Sequence, residues 1–349
     1  MTAFSSVVLV SLVFLGLLTV SLFLFIVIRR LFGELQSRRF KEACQQIEND
    51  LLAIIASSDQ SAALRFAARY ARKPKALAYV LVIYAQKLKG SPLNLLKTIF
   101  QESLKSRVYG DLNSVFLAKK IRAIRLLAYF GDAADIPRLF PLLGQKPIIR
   151  LTTLQALTRT KRPEAIEAIF SAWEKESSAH LTTYVNLLYS LGSIIEPQVR
   201  EYLKRPLSWD KLASLVELIG SIPLRSLTAE ILPFASHPEK EVRIKVARAL
   251  GRVSDPEGYP TLLRLLADEA WEVQALAAKS LGKLKNPAAV SHLSKCLTSP
   301  FFYVRRNAAV ALAALGKEGR SVLEAFCRQA KDRYAADAAR MILEEIALI

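Results

Sequence analysis

A pattern with a period of 31 residues occurs three times near the C-terminal end of this chain. The first copy, residues 241–256, reads EVRIKVARALGRVSDP, and the second, residues 272–287, reads EVQALAAKSLGKLKNP. A third copy begins at residue 303 and reads YVRRNAAVALAALG. A fixed period between about 20 and 50 residues is typical of stacked supersecondary units. The chain is therefore predicted to build at least part of its fold from repeated units.

Each copy predicts a hairpin of two helices. Val242 and Val246 recur at helical spacing and form one apolar stripe. Gly251 is predicted to end the first helix in a left-handed cap. Asp255 and Pro256 then suit the capping position and the first turn of the second helix. Neither helix buries its stripe alone, so neighbouring hairpins must stack.

The rest of the chain also predicts helices. Degenerate copies of the pattern begin near residues 123, 149, 181 and 212, and no strand-like alternation of useful length occurs. Upstream, the apolar spacing predicts helices over residues 34–57, 60–72, 75–89 and 92–106, with a linker over 111–114. The fold class is therefore predicted to be all-α.

The Val-Arg, Ala-Leu-Gly and Asp-Pro elements of the pattern resemble the bacterial HEAT-like repeat of the phycobilin-lyase type. The match is good over residues 239–316 and loose over 119–235. The resemblance implies an α-solenoid of HEAT-like hairpins over residues 115–349, preceded by an N-terminal helical cap region over 31–114. It implies protein binding more than chemistry, because fold alone does not assign a function.

The N-terminal segment is strongly apolar. Residues 4–28 carry no charged side chain, and about 20 apolar residues suffice to cross a bilayer as a helix. The segment lacks the basic start and the small-residue cleavage site of a secretory signal. We therefore expect residues 1–30 to form a single transmembrane anchor. Cations follow this segment and none precedes it, which predicts an N-terminus outside and a C-terminal domain in the cytoplasm, at the cytoplasmic (inner) membrane.

Positive charge is concentrated in the first part of the chain. Residues 29–150 hold 22 Lys and Arg against 9 Asp and Glu, a net +13 of the total +18. Anionic lipid headgroups or an acidic partner would be attracted to this charge, and a solvated basic surface is the alternative. Nucleic acid is a less favoured partner. The predicted contact residues are Arg29, Arg30, Arg38, Arg39, Arg65, Arg69, Arg72, Lys73, Lys75, Lys119, Lys120, Arg122 and Arg125.

Four aromatic residues lie at equivalent helix starts of successive repeats. They are Trp271 in one repeat and Phe301, Phe302 and Tyr303 in the next. Packing between repeats is one interpretation, because large aromatic side chains usually serve burial. The other is a protein-binding anchor for a partner.

Catalytic signatures are missing from the sequence. It contains no Walker A, G-x-G-x-x-G, H-E-x-x-H or C-x-x-C motif. His180, His237 and His292 are far apart in the chain, and Cys296 and Cys327 fall in the second helices of the last repeats, where buried structural thiols are expected. No catalytic, cofactor or metal site is predicted.

These features together predict a non-enzymatic, membrane-tethered scaffold that binds a partner protein at the cytoplasmic membrane. Small anchored HEAT proteins are similar in appearance and occur beside membrane glycosyltransferases of exopolysaccharide systems, so the resemblance implies a subunit of such a secretion complex. The alternatives are an accessory protein that binds a tetrapyrrole, like the bilin lyases, and a basic HEAT protein that binds nucleic acid. The sequence leaves the identity of the partner open.

Overall fold

Helices form all the regular structure in the described part of the chain. The computed structural model describes residues 2–57, 59–329 and 332–347, with side chains described for 18–57, 59–328 and 332–347. Contacts between residues divide the chain into a first unit, residues 1–156, and a second unit, residues 157–349. The predicted division into 1–30, 31–114 and 115–349 stays a prediction.

The first unit contains six helices, a long 3₁₀ segment over Ala133–Gly144 and most of a seventh helix, which continues into the second unit. The helices are α1 (Thr2–Ser57), α2 (Gln60–Tyr70), α3 (Pro74–Lys87), α4 (Ser91–Ser103), α5 (Lys105–Leu112), α6 (Leu117–Phe130) and α7 (Pro147–Thr160). The predictions for 60–72, 75–89 and 92–106 agree closely with α2, α3 and α4. The predicted linker over 111–114 contains the end of α5.

Helix α1 differs from its prediction because it is continuous. The sequence predicts a separate helix from residue 34, yet no break occurs between the apolar segment and the amphipathic one. The second half of α1 is fixed to the unit by Ile47 and Leu51, which are fully buried. Asp50 adds polar contacts, since it accepts hydrogen bonds from the Tyr70 hydroxyl at 2.5 Å and from Arg69 at 2.9 Å.

The predicted membrane position is contradicted. Within the described residues, no helix combines the length and the apolar character that a bilayer crossing requires. Residues 4–17 of the predicted span lie outside the described side chains. The continuous helix then carries Arg29 and Arg30 directly after it. The single-pass, inner-membrane localisation is therefore wrong.

The second unit contains a row of paired helices. Its helices are α8 (Pro163–Glu174), α9 (Leu181–Tyr189), α10 (Glu196–Leu203), α11 (Trp209–Ser221), α12 (Thr228–Ile231), α13 (Lys240–Val253), α14 (Tyr259–Leu265), α15 (Trp271–Leu284), α16 (Val290–Cys296), α17 (Phe302–Ala314), α18 (Lys317–Gln329) and α19 (Arg333–Ala347). The first helices of successive repeats, α11, α13, α15 and α17, pack side by side in chain order. This arrangement confirms that the 31-residue period corresponds to stacked helical units.

The repeat glycine has a different role from the predicted one. Helix α13 continues past Gly251 to Val253, and the left-handed residue that follows the helix is Ser254, with φ of 55°. A Cβ built on Gly251 would lie 2.8 Å from Ser280 Cα on α15. A Cβ on Gly282 would lie 2.7 Å from Ala311 Cα on α17. The glycine therefore sets how closely successive first helices approach, and the prediction of a C-terminal cap is wrong.

Candidate protein-binding surface

The fourth residue of α13, α15 and α17 holds the loop before its helix. Arg243 Nη1 donates to the carbonyls of His237 and Pro238, both at 2.9 Å. Two repeats later, Arg305 Nη1 donates to the carbonyls of Ser299 at 2.8 Å and Pro300 at 3.0 Å. These bonds satisfy loop carbonyls near the start of the helix, where exposed backbone would otherwise need water.

Glutamine fills this position in the intervening repeat. The side-chain amide of Gln274 donates to the Asp268 carbonyl at 2.6 Å. The loop contact is therefore a property of the repeat, and it needs one donor group only. The Val-Arg element of the motif is explained by Val242, which is fully buried, and by Arg243, which folds back to the loop.

Ion pairs link the starts of α13 and α15. Arg243 Nε donates to Asp268 Oδ2 at 2.8 Å, and Arg243 Nη2 donates to Asp268 Oδ1 at 2.9 Å. Both side chains are below 10% exposed. The hydrogen bond to Asp268 raises the pKa of Arg243. Beside this pair, Lys240 Nζ lies 2.7 Å from Glu272 Oε1. This junction is closed by charge pairs.

Aromatic rings take the same place between α15 and α17. Trp271 occupies the repeat position of Lys240, and Tyr303 occupies that of Glu272. The rings of Trp271 and Tyr303 stack with centroids 5.7 Å apart at an angle of 17°, and Phe301 stacks on Trp271 at 5.9 Å. Phe302 meets Tyr303 edge to face at 5.5 Å. We call Trp271, Phe301, Phe302 and Tyr303 the aromatic cluster.

The aromatic cluster is exposed despite its internal contacts. Phe301, Phe302 and Tyr303 are 42%, 50% and 59% exposed, whereas Trp271 is half-buried. Aromatic rings of neighbouring repeats therefore stack on one another, as the packing interpretation requires. This stacking leaves about half of the surface of Phe301, Phe302 and Tyr303 in solvent. Contiguous exposed apolar patches mark interaction sites more often than single exposed hydrophobic residues do. A role in binding stays a prediction.

Four of the predicted basic residues meet at one groove in the first unit. Arg39, Arg72, Lys73 and Lys75 line a groove of about 600 Å³ together with Phe40 and other residues of α1 and the α2–α3 turn. We call this the basic groove.

The neighbouring cations on α2 already have acidic partners. Arg69 pairs with Asp50 at 2.9 Å and Arg65 with Asp59 at 3.5 Å. These two side chains are therefore engaged inside the unit, although both stay more than half exposed.

The remaining basic residues do not converge on the basic groove. On α6, Arg122 pairs with Asp111 at 2.8 Å, Lys120 donates to the Gln145 side chain, and Lys119 lies 5.0 Å from the centroid of the Phe116 ring. Arg125 on the same helix is exposed. The remaining three lie along α1 and are exposed; they are Arg29, Arg30 and Arg38.

The described residues contain no group of three or more His, Cys, Asp or Glu side chains that could hold a metal ion. His237 lies in a loop, where its Nδ1 accepts the Glu239 backbone N–H at 3.1 Å. Cys296 lies in α16 as predicted, and burial raises the pKa of its thiol to about 11. Such a thiol stays protonated at neutral pH and is a poor nucleophile.

The sequence predictions missed Arg305 and Tyr334. The guanidinium carbon of Arg305 lies 5.3 Å from the centroid of the Tyr334 ring, which α19 contributes. Arg305 is 8% exposed, and its Nε has no hydrogen-bond partner within the described part of the chain. A comparison of Arg243 with Arg305 across the repeat period was the signal that could have identified it.

Comparison with known proteins supports the fold. The profile of HEAT repeats matches residues 196–272, 228–313 and 259–344, which confirms the resemblance to HEAT-like repeats. No curated protein sequence matches this chain at a significant level.

Several solved structures are similar to the chain. The karyopherin Kap121p bound to the SUMO protease Ulp1p is 14% identical with a TM-score of 0.52, over 87% of this chain and 40% of that one. Kap121p bound to Nup53p is 15% identical with a TM-score of 0.54, over 83% and 38%. The CpcE–CpcF complex of phycocyanin lyase from Nostoc sp. PCC7120 is 18% identical with a TM-score of 0.32, over 68% and 93%. The Kap121p likenesses show that this chain shares its fold with part of Kap121p.

Proposed function

We propose that this HEAT-repeat chain is a non-enzymatic scaffold that binds a partner protein through the aromatic cluster. One observation carries the proposal: the rings of Phe301, Phe302 and Tyr303 are 42–59% exposed although ring contacts join them, through Trp271, into one contiguous group. A protein that used these rings only for packing would gain more by burying them, since the hydrophobic effect scales with the apolar area removed from water.

The stacking makes the aromatic cluster suitable for binding. Trp271 holds Tyr303 and Phe301 in nearly parallel orientations, at 17° and 24°. Rings that are already ordered lose little conformational entropy when a partner covers them, so more of the contact energy becomes affinity. Tryptophan and tyrosine are also the residue types most enriched among those that dominate binding energy. The expected complement is an apolar side chain on the partner.

The fold gives independent support for a protein ligand. Kap121p has a similar fold and is bound to Nup53p in one structure and to the protease Ulp1p in another. Stacked repeats also supply an extended surface, which suits binding to another macromolecule.

The basic groove adds a second element to the proposal. The first unit carries a net +13. Among the residues that line the basic groove, the four cations Arg39, Arg72, Lys73 and Lys75 are accompanied by one acidic residue, Glu42. We assign this surface to an acidic region of the partner. The alternative contact with lipid headgroups was predicted from a membrane position that the structure contradicts. Replacing Arg72 and Lys75 with Glu should weaken partner capture, and more at low salt than at high salt.

The proposal is tested by quantitative affinity capture with the full chain. Wild type and the double variant Trp271→Ala/Tyr303→Ala are compared, and captured proteins are identified by mass spectrometry. At least one protein should be captured by wild type and lost from the double variant, because removal of two central aromatic residues typically costs 2 kcal/mol or more of binding free energy.

Tyr189→Ala is the matched control. Tyr189 ends α9 in the same unit, is 56% exposed, and has no ring partner among the described residues. This variant should capture the same protein as wild type. Circular dichroism must show that the double variant stays folded. If a folded double variant captures every protein that wild type captures, the proposed function is wrong.

A further inference from the structure

The two arginines at the fourth helix position differ in one respect. Both use Nη1 to hold the preceding loop. Arg243 presents its other edge, Nε and Nη2, to the carboxylate of Asp268, with bonds of 2.8 and 2.9 Å. In Arg305 the corresponding Nε is buried and has no hydrogen-bond partner among the described residues.

Within residues 59–328 and 332–347, no carboxylate pairs with this edge of Arg305. The position two repeat lengths after Asp268 is occupied by alanine, Ala330. The next acidic residue, Asp332, uses Oδ1 to accept the Tyr334 backbone N–H at 2.9 Å at the start of α19. An unpaired polar atom of a buried guanidinium is costly, since such groups lose their hydration without a compensating bond. The fold tolerates that cost here.

We propose that the Nε edge of Arg305 binds a carboxylate of the protein partner, an Asp or Glu side chain, beside the aromatic cluster. This inference rests on the proposed function and names the chemistry that the partner must present. The geometry is already realised once in the molecule, because Arg243 and Asp268 form the same two-bond pair. A planar guanidinium edge matches a carboxylate with two parallel hydrogen bonds.

The position of Arg305 fits this role. Its Nη1 bonds to the carbonyls of Ser299 and Pro300, which directly precede Phe301 of the aromatic cluster. A partner segment with an apolar and an acidic side chain close together would therefore contact both features. The net charge of +18 also attracts an acidic partner from a distance.

Tyr334 from α19 is the aromatic side chain next to the Arg305 guanidinium. The centroid of its ring lies 5.3 Å from the guanidinium carbon, and the side chain is 67% exposed. Exposed side chains change rotamer on the picosecond-to-nanosecond timescale, so the Tyr334 ring does not prevent a carboxylate from binding.

The experiment follows the arginine Nε–Hε resonances of the full chain by NMR, assigned through bonds. The probes are the blocked peptide acetyl-Asp-Phe-amide and its uncharged twin acetyl-Asn-Phe-amide. The Arg305 resonance should move and saturate with the Asp peptide and respond far less to the Asn peptide. The Arg243 resonance should stay in place with both peptides, because Arg243 Nε already donates to Asp268.

Arg305→Gln provides a variant that keeps the loop contact, since Gln274 makes that contact in the neighbouring repeat. It should weaken binding of the Asp peptide by about tenfold or more, the usual loss for a hydrogen bond to a charged group, and leave the Asn peptide unchanged. If this variant does not fold, the titration of wild type with the two peptides still decides the question.

Two results would overturn the inference: an Arg305 resonance that stays in place with the Asp peptide, or one that responds equally to both peptides. Neither result bears on partner capture by the aromatic cluster, which is scored with Trp271→Ala/Tyr303→Ala. Conversely, a saturating Arg305 response together with unchanged capture by that double variant would sink the proposed function and leave the carboxylate site standing.

Discussion

The α13–α15 junction and the α15–α17 junction have the same interior and different ends. In both, a repeat glycine lets the helices approach closely, with Gly251 against Ser280 and Gly282 against Ala311. At the helix starts, the first junction is closed by the Arg243–Asp268 pair and by a lysine–glutamate pair. The second has the aromatic cluster instead. The comparison teaches that small residues fix the repeat geometry, while the helix starts are free to carry a binding surface.

The largest expected effect separates the two arginines. Arg243→Gln should destabilise the protein by about 3 kcal/mol, because it leaves the buried Asp268 carboxylate without its charged partner. Arg305→Gln should cost less than about 1 kcal/mol, because it breaks no ion pair. Urea unfolding of the two variants measures both values. Equal losses would show that Arg305 has an internal partner and that the junctions do not differ as described.

The next effect concerns what the junctions share. Gly251→Ala and Gly282→Ala should each cost about 2 kcal/mol, because the new Cβ would come within 2.8 Å of Cα atoms on the neighbouring helix. Gly110→Ala is the control, since Gly110 lies in α5 with open space around the added Cβ. That substitution should be neutral or stabilise by up to about 1 kcal/mol. Thermal unfolding compares the three, and a neutral Gly282→Ala would mean that only one junction is tightly packed.

The smallest expected effect is a difference in pH response between the helix starts of the α13–α15 junction and those of the α15–α17 junction. The hydrogen bond from Lys240 lowers the pKa of Glu272, so this pair stabilises the fold above the unfolded glutamate pKa of about 4.3 and stops doing so as the pH falls through the lower folded value. The destabilisation by Glu272→Gln, measured at pH 7, should therefore vanish in that acidic range and shrink at high salt.

Tyr303→Ala is the counterpart at the other junction. It should cost about 1 kcal/mol or less, since a stacked aromatic pair is worth about that much. Ring stacking involves no titrating group between pH 3 and 7, so the loss should be the same at both pH values. A pH-dependent loss for Tyr303→Ala would indicate that an ionisable group also holds the aromatic cluster in place.

The repeat pattern was sufficient to predict the helical units. The 31-residue period, the buried Val242 and the Asp255 cap, which accepts the Glu257 N–H at 3.0 Å, all follow from local chemistry. The role of Gly251 was predicted wrongly because a glycine near a helix end suits two roles equally well: a left-handed cap that ends the helix, and a close approach of a neighbouring helix. Only the position of Ser280 on the neighbouring helix shows that close approach is the role of Gly251.

Long-range information was also missing for the charged groups. The sequence predicts Arg65, Arg69 and Arg72 as contact residues alike. In the structure Arg65 pairs with Asp59 and Arg69 with Asp50, whereas Arg72, which follows α2, lies with Arg39 at the basic groove. Such pairing depends on contacts between helices. The apolar N-terminal segment also misled, because no helix of the described residues combines the length and the apolar character that a bilayer crossing requires.

The central claim is that the aromatic cluster is the surface that a protein partner covers. Photo-crosslinking tests it most directly, with p-benzoylphenylalanine placed at Phe302, which is 50% exposed, and separately at Tyr189, which is 56% exposed. The account predicts a discrete crosslinked adduct with one protein from position 302 and none from position 189. An adduct from position 189 alone, or no adduct from position 302, would contradict it.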